Sequence, residues 1–278
     1  MYTIPKKLLS PGATNAKTAK NTYKTFILYL APHRQNSKNI NICPQASDGC
    51  AAACLFTAGR GKFSNVQKAR INKTEYFLHD KEKFCLQLAG ELTKINRQAS
   101  KNKETVLIRL NGTSDLDFIY LLKKYAQLDA LALSNLIFYD YTKILGKVKK
   151  YLGSDRYVLT YSRAENNEAQ ALEALSLGAN VSAVFTGQLP KTYKGFKVVD
   201  GDVSDNVMIE NRGVILGLKA KGDAKKDTSG FVIHDYKETD HAEFLEVDAH
   251  NKTGRQLDEL SAREYTALKN ETFLNQLR

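Results

Sequence analysis

Three of the four cysteines in this chain, Cys43, Cys50 and Cys54, fall inside the stretch "CPQASDGCAAAC". A thiolate is a nucleophile and a soft metal ligand, so a cluster of three invites both readings. The polar N-terminus, "MYTIPKKLLSPGATNAKTAK", lacks the apolar centre of a secretory leader. It points to a cytosolic setting, where thiols stay reduced, and so to ligation rather than a disulfide. A closed zinc site needs a fourth ligand, and His79 and Cys85 are the nearest candidates. Cys85 shares an apolar stripe with Phe84, Leu88 and Leu92 and reads as core. Three cysteines alone can hold a four-iron cluster with one iron open. Zinc, cluster and plain reduced thiols all stay open at this point.

A second set of reactive side chains recurs after apolar runs. "RLNGTSD" offers Asn111, Thr113, Ser114 and Asp115. "FYDYTK" offers Asp140, Tyr141, Thr142 and Lys143. "TYSRAE" offers Tyr161, Ser162, Arg163 and Glu165. Any one of these groups could be a turn or a helix cap. Repeated after successive strands, they describe a polar mouth. Asp115, Asp140, Lys143, Arg163 and Glu165 are the acid–base candidates, and Asn111, Ser114 and Ser162 the binding candidates. Asp200, Asp202 and Asp205, in "DGDVSD", could chelate a divalent ion for hydrolysis. Lys219 and Lys221 follow "GVILG".

The elements that would carry these residues alternate. Strands are expected at 25–32, 105–110, 135–141, 156–162, 180–186, 196–202, 213–220 and 229–235. Helices are expected after Ser64, after Asp80, and at 115–127, 146–152 and 167–178. Apolar strands alternating with helices predict a parallel sheet, first as a full or partial β/α barrel and second as an open doubly wound sheet. No GxGxxG follows the first strand, which argues against a dinucleotide site. Residues 1–25 read as a loose arm, 26–235 as the barrel-like domain and 236–278 as a helical tail. Ser47 or Asp48 can start a helix at Gly49. That helix would set Cys50 and Cys54 one turn apart, its dipole favouring thiolates.

Charge and hydropathy narrow the partners. The net charge is +11, carried mostly by dispersed lysines, which fits a solvated surface or a nucleic-acid cleft. No apolar run approaches the roughly 18 residues of a membrane helix, so no membrane partner is expected.

The placement of three cysteines after the first strand of a β/α domain resembles radical S-adenosylmethionine enzymes. Their usual pattern is C-x3-C-x2-C, and this chain has C-x6-C-x3-C. The ordered motifs "NAKTAK", "ILYLAP", "CPQASDGCAAACLFTAGRG", "RLNGTSDLDF", "FYDYTK", "LTYSRAENN", "DGDVSD" and "GLKAKG" resemble a family encoded mainly by bacteriophages and prophages, a domain of unknown function. That resemblance implies one continuous domain acting in a bacterial cytoplasm, and it supplies no reaction. The leading expectation is an iron–sulfur enzyme, with S-adenosylmethionine as a possible cofactor, acting on a polar small molecule, nucleotide or nucleic acid. The alternative is a zinc-stapled, non-catalytic nucleic-acid-binding protein of phage replication or packaging.

Overall fold

Side chains alternate across a strand, and here both sets within each central strand are apolar or aromatic, so both faces of the sheet need a cover. The computed structural model describes residues 2–15, 17–234 and 236. Its elements in chain order are β1 (Leu9–Pro11), β2 (Lys24–Leu28), α1 (Asp48–Ala52), α2 (Ser64–His79), α3 (Lys81–Asn102), β3 (Val106–Arg109), α4 (Phe118–Ala126), β4 (Leu136–Thr142), α5 (Leu145–Tyr151), β5 (Tyr157–Ser162), α6 (Glu168–Ser176), β6 (Asn180–Phe185), β7 (Thr192–Tyr193), β8 (Phe196–Asp200), α7 (Asn206–Glu210), β9 (Ile215–Lys219) and β10 (Val232–Ile233). The fold is mixed α/β, with a ten-stranded, mostly parallel sheet.

The strand path is β1-β2-β3-β4-β5-β6-β9-β8-β7. β1 on β2 and β7 on β8 are the antiparallel pairs. From β2 to β6 each strand lies beside its predecessor in sequence, and then β9 inserts between β6 and β8. β6 uses one edge for β9. Its other edge is shared, with Asn180–Ser182 on β5 and Val184–Phe185 on β10. The short β10 therefore begins where β5 stops, which brings residues 229–231 to the carboxyl end of β5.

One face is the main apolar core. Val106, Ile108, Phe138, Leu159, Val181 and Ala183 pack there against Phe84, Phe118, Leu122, Val148 and Leu175 from α3 to α6. α3 shows why the sequence works locally. Phe84, Leu88 and Leu92 recur every four residues on its buried side. Each such leucine stabilises the fold by about 1.5–3 kcal/mol. The opposite face carries Leu107, Tyr139, Val158 and Leu216, capped by Met208 of α7.

The first residues, expected as a loose arm, are fastened to the domain. The Glu91 carboxylate accepts hydrogen bonds from the backbone N–H groups of Leu8 and Leu9, and Leu8 is fully buried. The polar composition hid these few anchors. α2 begins at Ser64 itself rather than being capped by it, whereas Asp80 stands before α3 as expected. The described residues belong to one compact unit, within Met1–Glu238. Apart from Tyr236, the helical tail expected over 236–278 lies outside the described residues.

Candidate functional site

The cysteine loop leaves β2 and returns under the loops after β3, β4 and β5. Ser47 caps α1, its hydroxyl accepting from the Cys50 N–H at 3.2 Å. α1 ends at Ala52, and Cys54 is already extended, at φ −59° and ψ 131°. Cys50 and Cys54 therefore do not share one helical face, as the spacing had suggested. A five-residue helix also has too small a dipole to hold thiolates. Burial wins instead. It pushes the Cys43 thiol up to about 12, and it raises Cys54 as well. Cys43 Sγ accepts from His33 N–H at 3.5 Å and lies 3.8 Å from the Thr113 carbonyl, to which it can donate.

The three thiols nevertheless lie close enough to influence one another electrostatically. Cys43 interacts electrostatically with both Cys50 and Cys54, and Cys54 with Cys50, Arg70 and Lys143. Among the described residues, no three His, Cys, Asp or Glu side chains are grouped to hold a metal ion. One zinc ion with bonds of about 2.3 Å would bring its sulfurs within about 4 Å of one another. A four-iron cluster takes each thiolate on a different iron and spreads them wider. Cysteine is the donor type a four-iron cluster takes, while among the described residues the three are not grouped to hold a metal ion.

Loop-to-loop ties hold this arrangement. Glu165 accepts from Ser47 Oγ at 2.7 Å and from Gly49 N–H at 2.8 Å, fixing the cysteine loop to the end of β5. These bonds outweigh burial and keep its carboxyl below the ordinary range. Gly49 is required by close approach. A Cβ there would meet the Ser229 hydroxyl, Phe231 Cβ at 2.8 Å and Glu165 Oε1 at 2.9 Å. Arg163 donates to Glu168 at 2.7 Å and to the carbonyls of Gly230 and Phe231. Both residues hold the mouth in shape.

Several expected site residues are occupied inside the fold. Asp140 is fully buried on the helix-covered face and accepts from Asn111 N–H, Asn111 Nδ2 and Tyr157 Oη at 2.7–3.0 Å. Burial raises its pKa, against Lys147 and Arg109. Asn111 Oδ1 accepts from Ser114 Oγ and Leu116 N–H. Asp115 accepts from Lys143 N–H at 2.8 Å and pairs with the buried Lys147 at 3.4 Å. These groups build the turn after β3. The three aspartates of "DGDVSD" separate. Asp200 accepts from Asp202 N–H, and Asp202 takes Lys219 N–H and Lys221 Nζ. Asp205 is buried against Lys17, Thr18 and Tyr139, so no carboxylate cluster forms.

Two expected residues do meet beside the thiols. Lys143 Nζ donates to Ser162 Oγ at 2.7 Å and lies 5.5 Å from the Phe231 ring centre. Cys50 packs in a small apolar cluster with Ala53, Ala164 and Phe231. A cavity of about 330 Å³ at the end of β6 is lined by none of the expected site residues.

Sequence reading missed Arg70, Arg109, Tyr29 and Lys17. Arg109 had a signal: one guanidinium in the otherwise apolar "VLIRL". Arg70, on a polar helix, had none.

No curated protein and no solved structure matches the chain. No helix among the described residues is long and apolar enough to cross a membrane. The family model described as Gene product 88 matches residues 7–235, so this chain belongs to the Gene product 88 family, a phage-type domain of unknown function.

Proposed function

We propose that this protein is an iron–sulfur enzyme whose cluster is held by Cys43, Cys50 and Cys54, at the carboxyl mouth of a partial β/α barrel. The observation that carries it is the mutual electrostatic influence of the three thiols, with Lys143 acting on Cys54, where loops from successive parallel strands meet. Strand ends of this kind are where β/α domains keep their chemistry. The sequential run from β2 to β6, with α3 to α6 on one face, supports the partial barrel over the doubly wound alternative. A cluster supplies one-electron transfer and, with three protein ligands, one iron open to an outside ligand such as S-adenosylmethionine.

The chain's own residues have the following parts. Lys143 and Ser162 present an ammonium and a hydroxyl to a polar substrate. Glu165 and Gly49 set the position of the thiol loop. Arg163 fastens the segment at Gly230 and Phe231, whose ring faces the Lys143 ammonium. Membership of a phage-type family supports action in the cytoplasm of a bacterial host. The +11 charge favours an anionic substrate such as a nucleotide.

The test is iron and sulfide analysis of anaerobically purified full chain, with its visible absorption spectrum. Brown protein holding iron and sulfide, lost in each of Cys43→Ala, Cys50→Ala and Cys54→Ala, supports the reading. Colourless, folded protein that takes up neither iron nor sulfide on reconstitution overturns it. Stoichiometric zinc in its place would move the function to a zinc-stapled, nucleic-acid-binding protein, whose affinity falls steeply with salt.

A further inference from the structure

The face of the sheet opposite the main helices carries a row of cations and rings, of which Arg70 acts electrostatically on a thiol, Cys54. Leu28 and Leu30 point into the main core, so Tyr29 points the other way. Arg109 and Tyr141 share that side, between the core residues Ile108 and Leu110 in one strand and beyond Phe138 in the next. Gly112 makes room for the Tyr29 ring, since a Cβ there would lie 2.5 Å from Tyr29 Cδ1.

Arg70 comes in from α2. Its guanidinium carbon lies 4.6 Å from the Tyr29 ring centre and 5.8 Å from that of Phe56. Its Nε and Nη1 atoms are shielded from solvent and have no hydrogen-bond partner, and no carboxylate of the described residues pairs with it. Arg109 lies 4.9 Å from the Tyr141 ring centre, and its Nε is also without a partner. Arg109 also feels the Tyr29 hydroxyl electrostatically, so Arg70 over Tyr29 and Arg109 over Tyr141 belong to one row. Lys17 adds a third cation, 3.2 Å from Tyr141 Oη. Asp205 stands against Lys17 at 2.9 Å and also faces Arg109, one carboxylate shared by two cations. Asp140 lies across the sheet from Arg109, already bonded to Asn111 and Tyr157.

Unmade guanidinium bonds are costly inside a protein. An arginine fork satisfies them best with an oxyanion that accepts two bonds at once. Arg70, Arg109, Tyr29, Tyr141 and Lys17 are each only partly buried, so the row borders solvent. The shielded Nε atoms lie too deep for a polymer backbone and suit a small ligand. With more cations than carboxylates along the row, a multiply charged anion fits better than a single carboxylate.

We infer that Arg70 and Arg109 bind the phosphoryl groups of a small phosphate-bearing ligand around Tyr29. This inference deepens the proposed function by naming a substrate class. It rests on reading that mouth as a ligand site, yet its physical basis is independent of any cluster.

The test is calorimetric titration of the full chain with inorganic pyrophosphate and, separately, with malonate, in protein with and without reconstituted iron. Pyrophosphate is expected to bind in both preparations, with malonate at least about 10-fold weaker. Arg70→Gln and Arg109→Gln are each expected to weaken pyrophosphate binding at least about 10-fold. Arg70→Lys, which keeps the charge and loses the fork, is expected to fall between Arg70→Gln and wild type. Lys221→Ala, an exposed lysine paired with Asp202, should bind as wild type. Should Arg109→Gln fail to fold, folded Arg70→Gln decides alone. Absence of pyrophosphate binding, equal affinity for malonate, or unchanged affinity in Arg70→Gln overturns the inference. Iron-free protein that still binds pyrophosphate separates the two readings, because the cluster can fail while the anion site stands.

Discussion

The two faces of the sheet are built on different principles. The helix-covered face is closed by apolar side chains from α3 to α6, and its buried polar groups are partnered: Asp140 by Asn111 and Tyr157, and Asp115 by Lys147. The opposite face buries charge. Lys17, Arg109 and Asp205 sit among Tyr139 and Tyr141, with guanidinium nitrogens still unpaired. The first face gains stability mainly from apolar burial, with its few polar groups satisfied. The second bears a desolvation cost that attraction only partly offsets. A fold tolerates such a region where a ligand completes it, which is the basis of the anion site inferred above.

The largest expected effect breaks that contrast directly. Asp205→Asn leaves Lys17 and Arg109 without their carboxylate and is expected to destabilise the fold by about 3–5 kcal/mol. Urea denaturation measures it. A cost under about 1 kcal/mol would mean that the second face is not ionic in the sense described. The pH dependence sharpens the point. Burial raises the Asp205 carboxyl pKa, but Lys17 and Arg109 outweigh it and hold it below the usual value of about 3.9. Its contribution is therefore present above that value and lost as pH falls through the lower folded pKa. Wild type should lose stability across that acid window more steeply than Asp205→Asn.

A middle effect tests the mouth. Gly49→Ala forces a methyl against Ser229, Phe231 and Glu165, and is expected to cost about 1–3 kcal/mol. Because it displaces the loop that carries Cys50, bound iron should drop further than stability. Iron retained at the wild-type level would show that the Glu165 tie does not set the thiols. The smallest effect lies at the amino end of the strands, where Lys24 and Glu104 are paired at 3.6 Å with both side chains partly open. Lys24→Ala should change thermal unfolding by no more than about 0.5 kcal/mol.

Much of the scaffold was legible from local pattern. The run "NLIFYDY" reads as a buried strand because nearly every residue is apolar or aromatic, and β4 occupies Leu136–Thr142. β1 was hidden, because three residues containing Pro11 carry no periodicity and pair only once β2 is in place. Within the site, "NGTSD" and "YSRAE" were readable as polar strand ends. Their division of labour was not. Asn111, Ser114 and Asp115 spend their hydrogen bonds on the backbone and on neighbouring strands, while Ser162 and Lys143 meet beside the thiols. Gly112 looked like a turn residue, and its actual requirement is the ring of Tyr29 against it.

Taken alone, the amino-acid order determined the succession of strands and helices, the clustering of thiols in one loop and the polar character of the strand ends. Hydrophobic period and residue type act over a few neighbours and need no knowledge of distant chain. Only the folded arrangement decided which side of the sheet each polar group faces. It joined Thr18 to Asp205 across 187 residues and left two arginines incompletely bonded over neighbouring tyrosines. Burial and pairing at such separations depend on how whole elements pack, because desolvation and Coulomb attraction follow distance in space.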